Sequence, residues 1–186
     1  MRAAPQALRQ HGKGGIPMTR FSIVVGDITN SDAEAIVNAA NTTLLGGSGV
    51  DGAIHRAAGP ELLAECRALG GCETGQAKLT KGYRLKADYV LHTPGPIWRG
   101  GSDGEAARLA SCYRSCLKLA EAHGIRSVDF PSISTGVYGY PMHLAATVAL
   151  KAIMEYLAEH ELPQQVRMVC HTEAAAEVYR NILKTL

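Results

Sequence analysis

Two stretches gather residue types able to do chemistry: "AIVNAANTTLLGGSGVDGAIHRAAG", Ala35 to Gly59, and "SISTGVYGYP", Ser132 to Pro141. The first runs from an apolar segment through two asparagines and a glycine cluster to a single carboxylate, Asp51, at the mouth of a helical pattern. A glycine-rich turn opening a helix normally attracts anions, because it presents free backbone N–H groups and the positive end of the helix dipole. Asp51 therefore either caps the helix, a role worth ~0.3–1 kcal/mol, or does chemistry beside a bound phosphate. The second stretch offers the hydroxyls of Ser134 and Thr135 and the backbone N–H groups around Gly136 and Val137, the ingredients of a diphosphate cradle. Each charge-assisted N–H to phosphate bond contributes ~1.5–3 kcal/mol. Tyr138 and Tyr140 are placed to lie against a sugar.

Other chemistries lack their residue sets. Gly47-Ser48-Gly49-Val50-Asp51-Gly52 matches GxGxxG in form. A dinucleotide site, however, needs its first glycine tight against the first strand and an acid ~20 residues onward at the next strand's end. Here Asn38, Asn41, two threonines and two leucines intervene, and Glu73 sits in a Gly-Cys-Glu-Thr-Gly turn. The nicotinamide fold is rejected while phosphate binding by the glycines survives. There is no GxxxxGK[ST], no HExxH, and no Cys or Ser with a His and an Asp at motif spacing. Five cysteines form no CxxC pair, which reads as reduced, buried thiols in a cytoplasmic protein. Cys112 and Cys116 share a helix face, but without two more placed ligands they give no metal site. His55, one helical turn past Asp51, is within reach of it yet reads as a core or surface histidine, and His92 reads as structural.

The elements that must position these groups follow from periodicity and punctuation. Phe21–Val25 reads as a strand closed by Gly26 and Asp27, and Ser31-Asp32-Ala33-Glu34 fits a capping box for a short helix. Ala35–Ala39 is the next strand, with helices from Val50 and over Glu61–Leu69. Gln76–Thr80 reads as an edge strand and Tyr89–Thr93 as a buried one. A helix follows a Ser102-Asp103 cap, with Leu109, Cys112, Tyr113, Cys116, Leu117 and Ala120 inward and Gly124 at its end. Ser127–Ile133 is a strand, Met142–Glu159 a long helix, Gln165–Cys170 the last strand and Glu173–Leu183 the closing helix. Strands alternating with helices imply right-handed crossovers and a mostly parallel sheet covered on both faces. In such sheets ligands bind beyond the carboxyl ends of the strands, where the glycine-rich loops fall.

The totals bound the rest. At 186 residues the chain fits one domain, residues 20–186, behind a flexible basic tail, residues 1–19, in which Met18 is an alternative start. With 19 Lys plus Arg against 17 Asp plus Glu, it lacks the basic excess of a dedicated nucleic-acid binder. An RNA-binding role for the tail is the remaining trace of that class. No run approaches the ~20 apolar residues of a membrane span.

Taken together, Gly26-Asp27-Ile28-Thr29, Ile36-Val37-Asn38-Ala39-Ala40-Asn41, Gly49-Val50-Asp51-Gly52-Ala53-Ile54-His55, His92-Thr93-Pro94-Gly95-Pro96 and Ser134 to Pro141 resemble the macrodomain. The likeness is to its MacroD-type branch of ADP-ribosylhydrolases and O-acetyl-ADP-ribose deacetylases, and it spans Arg20 to Leu186. It implies a three-layer α/β/α fold on a mixed, mostly parallel sheet, with antiparallel pairings among the first strands. It also implies that Asp27 accepts from the adenine amino group, that the Ile28 N–H meets a ring nitrogen, and that Asn41 holds the distal ribose. Gly49 and Val50 with Ser134, Thr135, Gly136, Val137 and Tyr138 would surround the diphosphate, Tyr138 stacking on the distal ribose. Asp51 would position and polarise the attacking water, with the substrate phosphate as alternative base. From the residues alone, Asp27 as a turn residue and Asn41 as an Asx-turn stay open. The implied substrates are O-acetyl-ADP-ribose and mono-ADP-ribosylated proteins, with no cofactor, and the competing reading is a non-catalytic ADP-ribose reader. Ser48 replaces a common glycine, Pro94 an aliphatic residue, and Cys170-His171-Thr172 lacks an aromatic to stack on the adenine, a place His171 could take.

Overall fold

The computed structural model describes residues 20–186, and the expected tail with its alternative start and RNA-binding arm lies outside the described residues. The chain runs β1 (Phe21–Val25), β2 (Ala35–Ala40), α1 (Gly49–Ala58), α2 (Pro60–Leu69), β3 (Lys78–Lys81), β4 (Tyr89–Pro94), α3 (Glu105–Ala122), β5 (Ser127–Phe130), α4 (Met142–Glu159), β6 (Gln165–Cys170) and α5 (Glu173–Leu183). The sheet order is β1-β6-β5-β2-β4-β3. Every pairing is parallel except that of β3 with β4. Antiparallel pairing among the first strands is thus corrected: β1 lies parallel to β6, from Phe21 opposite Val166 to Val25 opposite Cys170.

The central strand β2 shows why both faces are covered. Ala35, Ile36 and Val37 are all buried, and Val37 enters one core while Ile36 enters the other. A continuous apolar run is what a strand between two helical layers requires. On one side Val37, Leu91 and Phe130 meet α3, α4 and α5; on the other Ile36 and Val90 meet Ile54 of α1 and Leu62 and Cys66 of α2. Cys112 and Cys116 point into the first core, where the Cys112 thiol donates to the Pro94 carbonyl at 3.3 Å. Among the described residues no group of three His, Cys, Asp or Glu side chains is arranged to hold a metal ion.

The last three elements have the bounds the periodicity indicates, and the departures have local causes. No helix covers Ser31–Glu34: the Ser31 hydroxyl donates to Asp129 at 2.5 Å and the Glu34 N–H goes to Ser127 Oγ at 2.8 Å, so the capping-box bond is not made. A 3-10 turn forms instead at Ile28–Asn30, capped by Asp27. β5 stops at Phe130 rather than Ile133, because Pro131 cannot donate to the ladder. The edge strand is shifted to Lys78–Lys81.

Ser102-Asp103 does not cap α3. Gly104, at φ 75°, precedes it, and the Glu105 carboxylate folds back to accept N–H bonds from Arg99 (3.0 Å), Gly101 (2.7 Å) and Asp103 (2.6 Å). Burial pushes this carboxyl up, but the backbone donors outweigh burial and hold it down at about 2. A carboxyl depressed below its unfolded value of ~4.3 contributes stability present above that pH and lost as pH falls toward the folded value. Calorimetric melts of Glu105→Gln should therefore show a smaller drop in melting temperature between pH ~4.3 and about 2 than the parent, the remainder belonging to other depressed carboxyls such as Asp27.

Candidate functional site

The carboxyl ends of β1, β2, β4, β5 and β6 open into one cleft of about 740 Å³. Every residue assigned to binding or catalysis by motif reaches its wall: Asp27, Ile28, Asn41, Gly49, Val50, Asp51, Ser134, Thr135, Gly136, Val137 and Tyr138. Tyr140 does not. It is buried against Trp98, ring centroids 4.6 Å apart, so its place against a sugar is corrected to a place in the core.

Asp51 occupies the first turn of α1, yet it is not a cap. Ser48 holds the N-cap position without a side-chain bond, and Asp51, the acid of the first turn, directs its side-chain hydrogen bond to Asn38 rather than to a helix N–H. Its Oδ1 accepts from Asn38 Nδ2 at 2.8 Å, and His55 Nε2 lies 3.4 Å from the same oxygen. His55 does not line the cleft, and its buried Nε2 has no hydrogen-bond partner among the described residues, so what the structure adds to its reading is proximity to Asp51. Asp51 is 5% exposed, and burial pushes its carboxyl up, partly offset by the Asn38 bond and by His55. A carboxyl raised toward working pH is the property a general base needs. A Cβ placed on Gly47 would lie 3.0 Å from Asp51 Oδ2 and 3.6 Å from Asn41 Nδ2. Both side chains therefore converge on the same face of Gly47.

Asn41 itself bridges its loop: Nδ2 donates to the Gly46 carbonyl at 2.7 Å and Oδ1 accepts from Thr43 at 2.6 Å. These are the bonds of the Asx-turn reading, made by a residue that also lines the cleft. Asp27 likewise does two things. Its Oδ1 accepts from the Thr29 hydroxyl at 2.7 Å and the Thr29 N–H at 2.9 Å, and these bonds, the hydroxyl first, hold its carboxyl below the ordinary carboxylate range. His171 lies on the same wall, with Val169 and Cys170 beside it.

The second loop is held from behind. The Trp98 N–H donates to the Tyr138 carbonyl at 2.9 Å, and the Gly139 N–H to the Gly136 carbonyl at 3.0 Å. Ser134 sits at φ 67°, a left-handed conformation uncommon for a non-glycine residue. The residue lines the cleft, and its hydroxyl is buried beside Gly95 without a hydrogen-bond partner among the described residues. Strain and an unpaired hydroxyl at one residue mark a position shaped for a ligand rather than for folding.

Asn38 is the site residue that motif reading left without a role. It is fully buried beneath the cleft, where it binds Asp51, and on its other side it lies 3.2 Å from His92 Nδ1. Burial pushes His92 down to about 3, with His55 adding to the shift, so the ring is neutral. The available signal was strand alternation: Asn38 shares the face of Ile36, which packs against α1, the helix that carries Asp51.

Comparison with known proteins bears on this geometry. The Macro domain family model matches residues 37–149. A macro domain-containing protein of Chlorobaculum tepidum is 57% identical over 160 residues, 86% of this chain and 93% of that protein. A Salmonella gallinarum protein named O-acetyl-ADP-ribose deacetylase is 51% identical over 169 residues, 89% of this chain and 94% of its own. Among solved structures, an Oceanobacillus iheyensis macrodomain variant with ADPR superposes with a TM-score of 0.85 at 46% identity, covering 88% of this chain and 91% of that one.

Proposed function

Since this chain belongs to the macrodomain family, we propose that its cleft binds ADP-ribose and hydrolyses esters at the distal ribose of ADP-ribose derivatives. The relative named as a deacetylase and the neighbour with ADPR support the class. The observation that carries the reading is the buried carboxylate of Asp51, converging with Asn41 on Gly47 at the cleft wall. A module that only reads ADP-ribose has no need of an acid raised by burial at that point.

In this reading Asp27 and the Ile28 N–H take the adenine, and the uncapped start of α1 at Gly49 and Val50 faces the diphosphate across from Ser134 to Tyr138. Tyr138 covers the distal ribose and Asn41 orients it. Asp51 polarises a water for attack on the ester carbonyl or the anomeric carbon. The substrates are O-acetyl-ADP-ribose and mono-ADP-ribose on acidic protein side chains, and five free, buried cysteines fit a reducing, cytoplasmic setting. Among the described residues no helix is long and apolar enough to cross a membrane.

The test uses both substrates in parallel. Glutamate-linked mono-ADP-ribosylated protein and O-acetyl-ADP-ribose are each incubated with the protein, and release of ADP-ribose or acetate is followed beside binding. Release from either supports the hydrolase; binding without release in both establishes the reader.

One glycine should report on the cradle separately. A Cβ on Gly52 would lie 2.5 Å from the Gly47 carbonyl oxygen, backbone that must then move. Gly52→Ala is expected to displace this wall and cut turnover ~10²-fold, the scale of a ~1 Å misplacement. The gain of ~1 kcal/mol in helix propensity offsets only part of the cost of moving that backbone, so the melting temperature should also fall.

A further inference from the structure

We propose that His92 is a positioning residue for Asp51, acting through Asn38, and that Thr80 selects the imidazole tautomer on which this depends; the proposal rests on the hydrolase reading above. His92 is opposite Asn38 across the β2–β4 pairing, and Thr80 is its diagonal neighbour across β3–β4. All three side chains are fully buried. His92 Nε2 lies 2.8 Å from Thr80 Oγ1, and Thr80 Oγ1 donates to the Lys81 carbonyl at 3.1 Å. The hydroxyl has spent its one proton on that carbonyl, so towards His92 it accepts, and Nε2 carries the ring's hydrogen.

The neutral ring then has a bare Nδ1, which accepts from Asn38 Nδ2 at 3.2 Å. Asn38 Nδ2 has two hydrogens: one meets His92 and the other meets Asp51 Oδ1 at 2.8 Å. Turning the amide over would set its carbonyl against the Asp51 carboxylate, acceptor to acceptor. The opposite tautomer would invite that turn, because an Nδ1–H needs an acceptor. Asn38 Oδ1 is buried without a partner among the described residues, the mark of an amide held with both donors outward at the expense of its carbonyl. The ring stays neutral because it is buried, with its pKa pushed down to about 3, so the tautomer is locked through the working range. The remaining contact, Cys66 Sγ at 3.8 Å from Nε2, is too weak and long to set it.

The test is run on the full chain. Imidazole 15N spectra report the tautomer of His92, assigned by its loss in His92→Gln, and 13C titration follows the Asp51 carboxyl. Both are measured in the parent, Thr80→Val and Thr80→Ser, with kcat and KM on O-acetyl-ADP-ribose. The expected parent spectrum is an Nε2–H ring. Thr80→Val should populate Nδ1–H, raise the Asp51 midpoint and lower kcat about tenfold with KM within about twofold, the worth of one charge-assisted hydrogen bond. Thr80→Ser should restore all three, and His92→Gln, which keeps an acceptor for Asn38 and a donor for Thr80, should keep the Asp51 midpoint. An Nδ1–H ring in the parent, or a Thr80→Val protein whose Asp51 midpoint does not move, overturns the proposal. Absence of any turnover in the parent counts against the hydrolase reading alone, because the tautomer and the Asp51 midpoint are read without it.

Discussion

Replacing Asp51 with alanine should lower turnover by ~10²–10⁴ while leaving ADP-ribose affinity within a few-fold, the signature of a lost general base. The geometry argues for this separation of effects. The carboxylate is buried, with Oδ1 bonded by Asn38 and 3.4 Å from His55 Nε2, and its other oxygen faces Gly47. Removing a negative group from the neighbourhood of a diphosphate takes nothing from the binding of an anion. Single-turnover rates and calorimetric titration with ADP-ribose read the two effects apart. Loss of binding with unchanged single-turnover chemistry would sink the assignment. Asp51→Asn is the needed companion, because it keeps an acceptor for Asn38 and removes only the charge. A base must be deprotonated, so the parent's kcat/KM should rise with pH through the Asp51 pKa. Burial sets that limb above the ordinary carboxylate range, and it should be absent in Asp51→Asn.

Much of the site was legible because it is written in contiguous loops. Glycines, hydroxyls and a lone acid at a helix mouth carry their chemistry in their order, and the cleft brings those loops together at the strand ends as alternation of strands and helices requires. What the order could not show is what lies behind the loops. Asn38, His92 and Thr80 belong to three different strands, and only the register of β2, β4 and β3 makes them neighbours. Each alone reads as a buried polar residue. Ser31 and Glu34 misled for the same reason: their pattern is that of a local capping box, but Asp129 and Ser127, almost a hundred residues away, took their hydrogen bonds. Tyr140 sits two residues from Tyr138 and has the same chemistry; only the position of Trp98 sends one to the core and leaves the other at the cleft.

The second large effect concerns stability and should spare the cleft. Asp129 is 2% exposed at the β5–β6 junction, directly opposite Arg167 in the register. It accepts from Arg167 Nε at 2.7 Å and Nη2 at 2.9 Å, and from the Ser31 hydroxyl at 2.5 Å. Asp129, foremost, and Asp32, at 2.6 Å, raise the Arg167 pKa further above its ordinary value, so the guanidinium is charged throughout. Asp129→Ala would leave that charge at a largely buried position with only exposed Asp32 to answer it, and would release the segment that leads into β2. Breaking a buried ion pair from one side costs ~3–5 kcal/mol, and the partial exposure of Arg167 argues for the lower end. For a domain of this size about 3 kcal/mol corresponds to a fall of roughly 6–12 °C in melting temperature. Replacing Asp129 and Arg167 together by leucine should recover most of it, since a buried pair exchanged for apolar packing is often neutral. Below its melting point Asp129→Ala should bind ADP-ribose as the parent does, because neither residue lines the cleft. A variant melting within ~2 °C of the parent, under ~1 kcal/mol, would mean that the cluster is not what fastens the entry of β2 to the sheet.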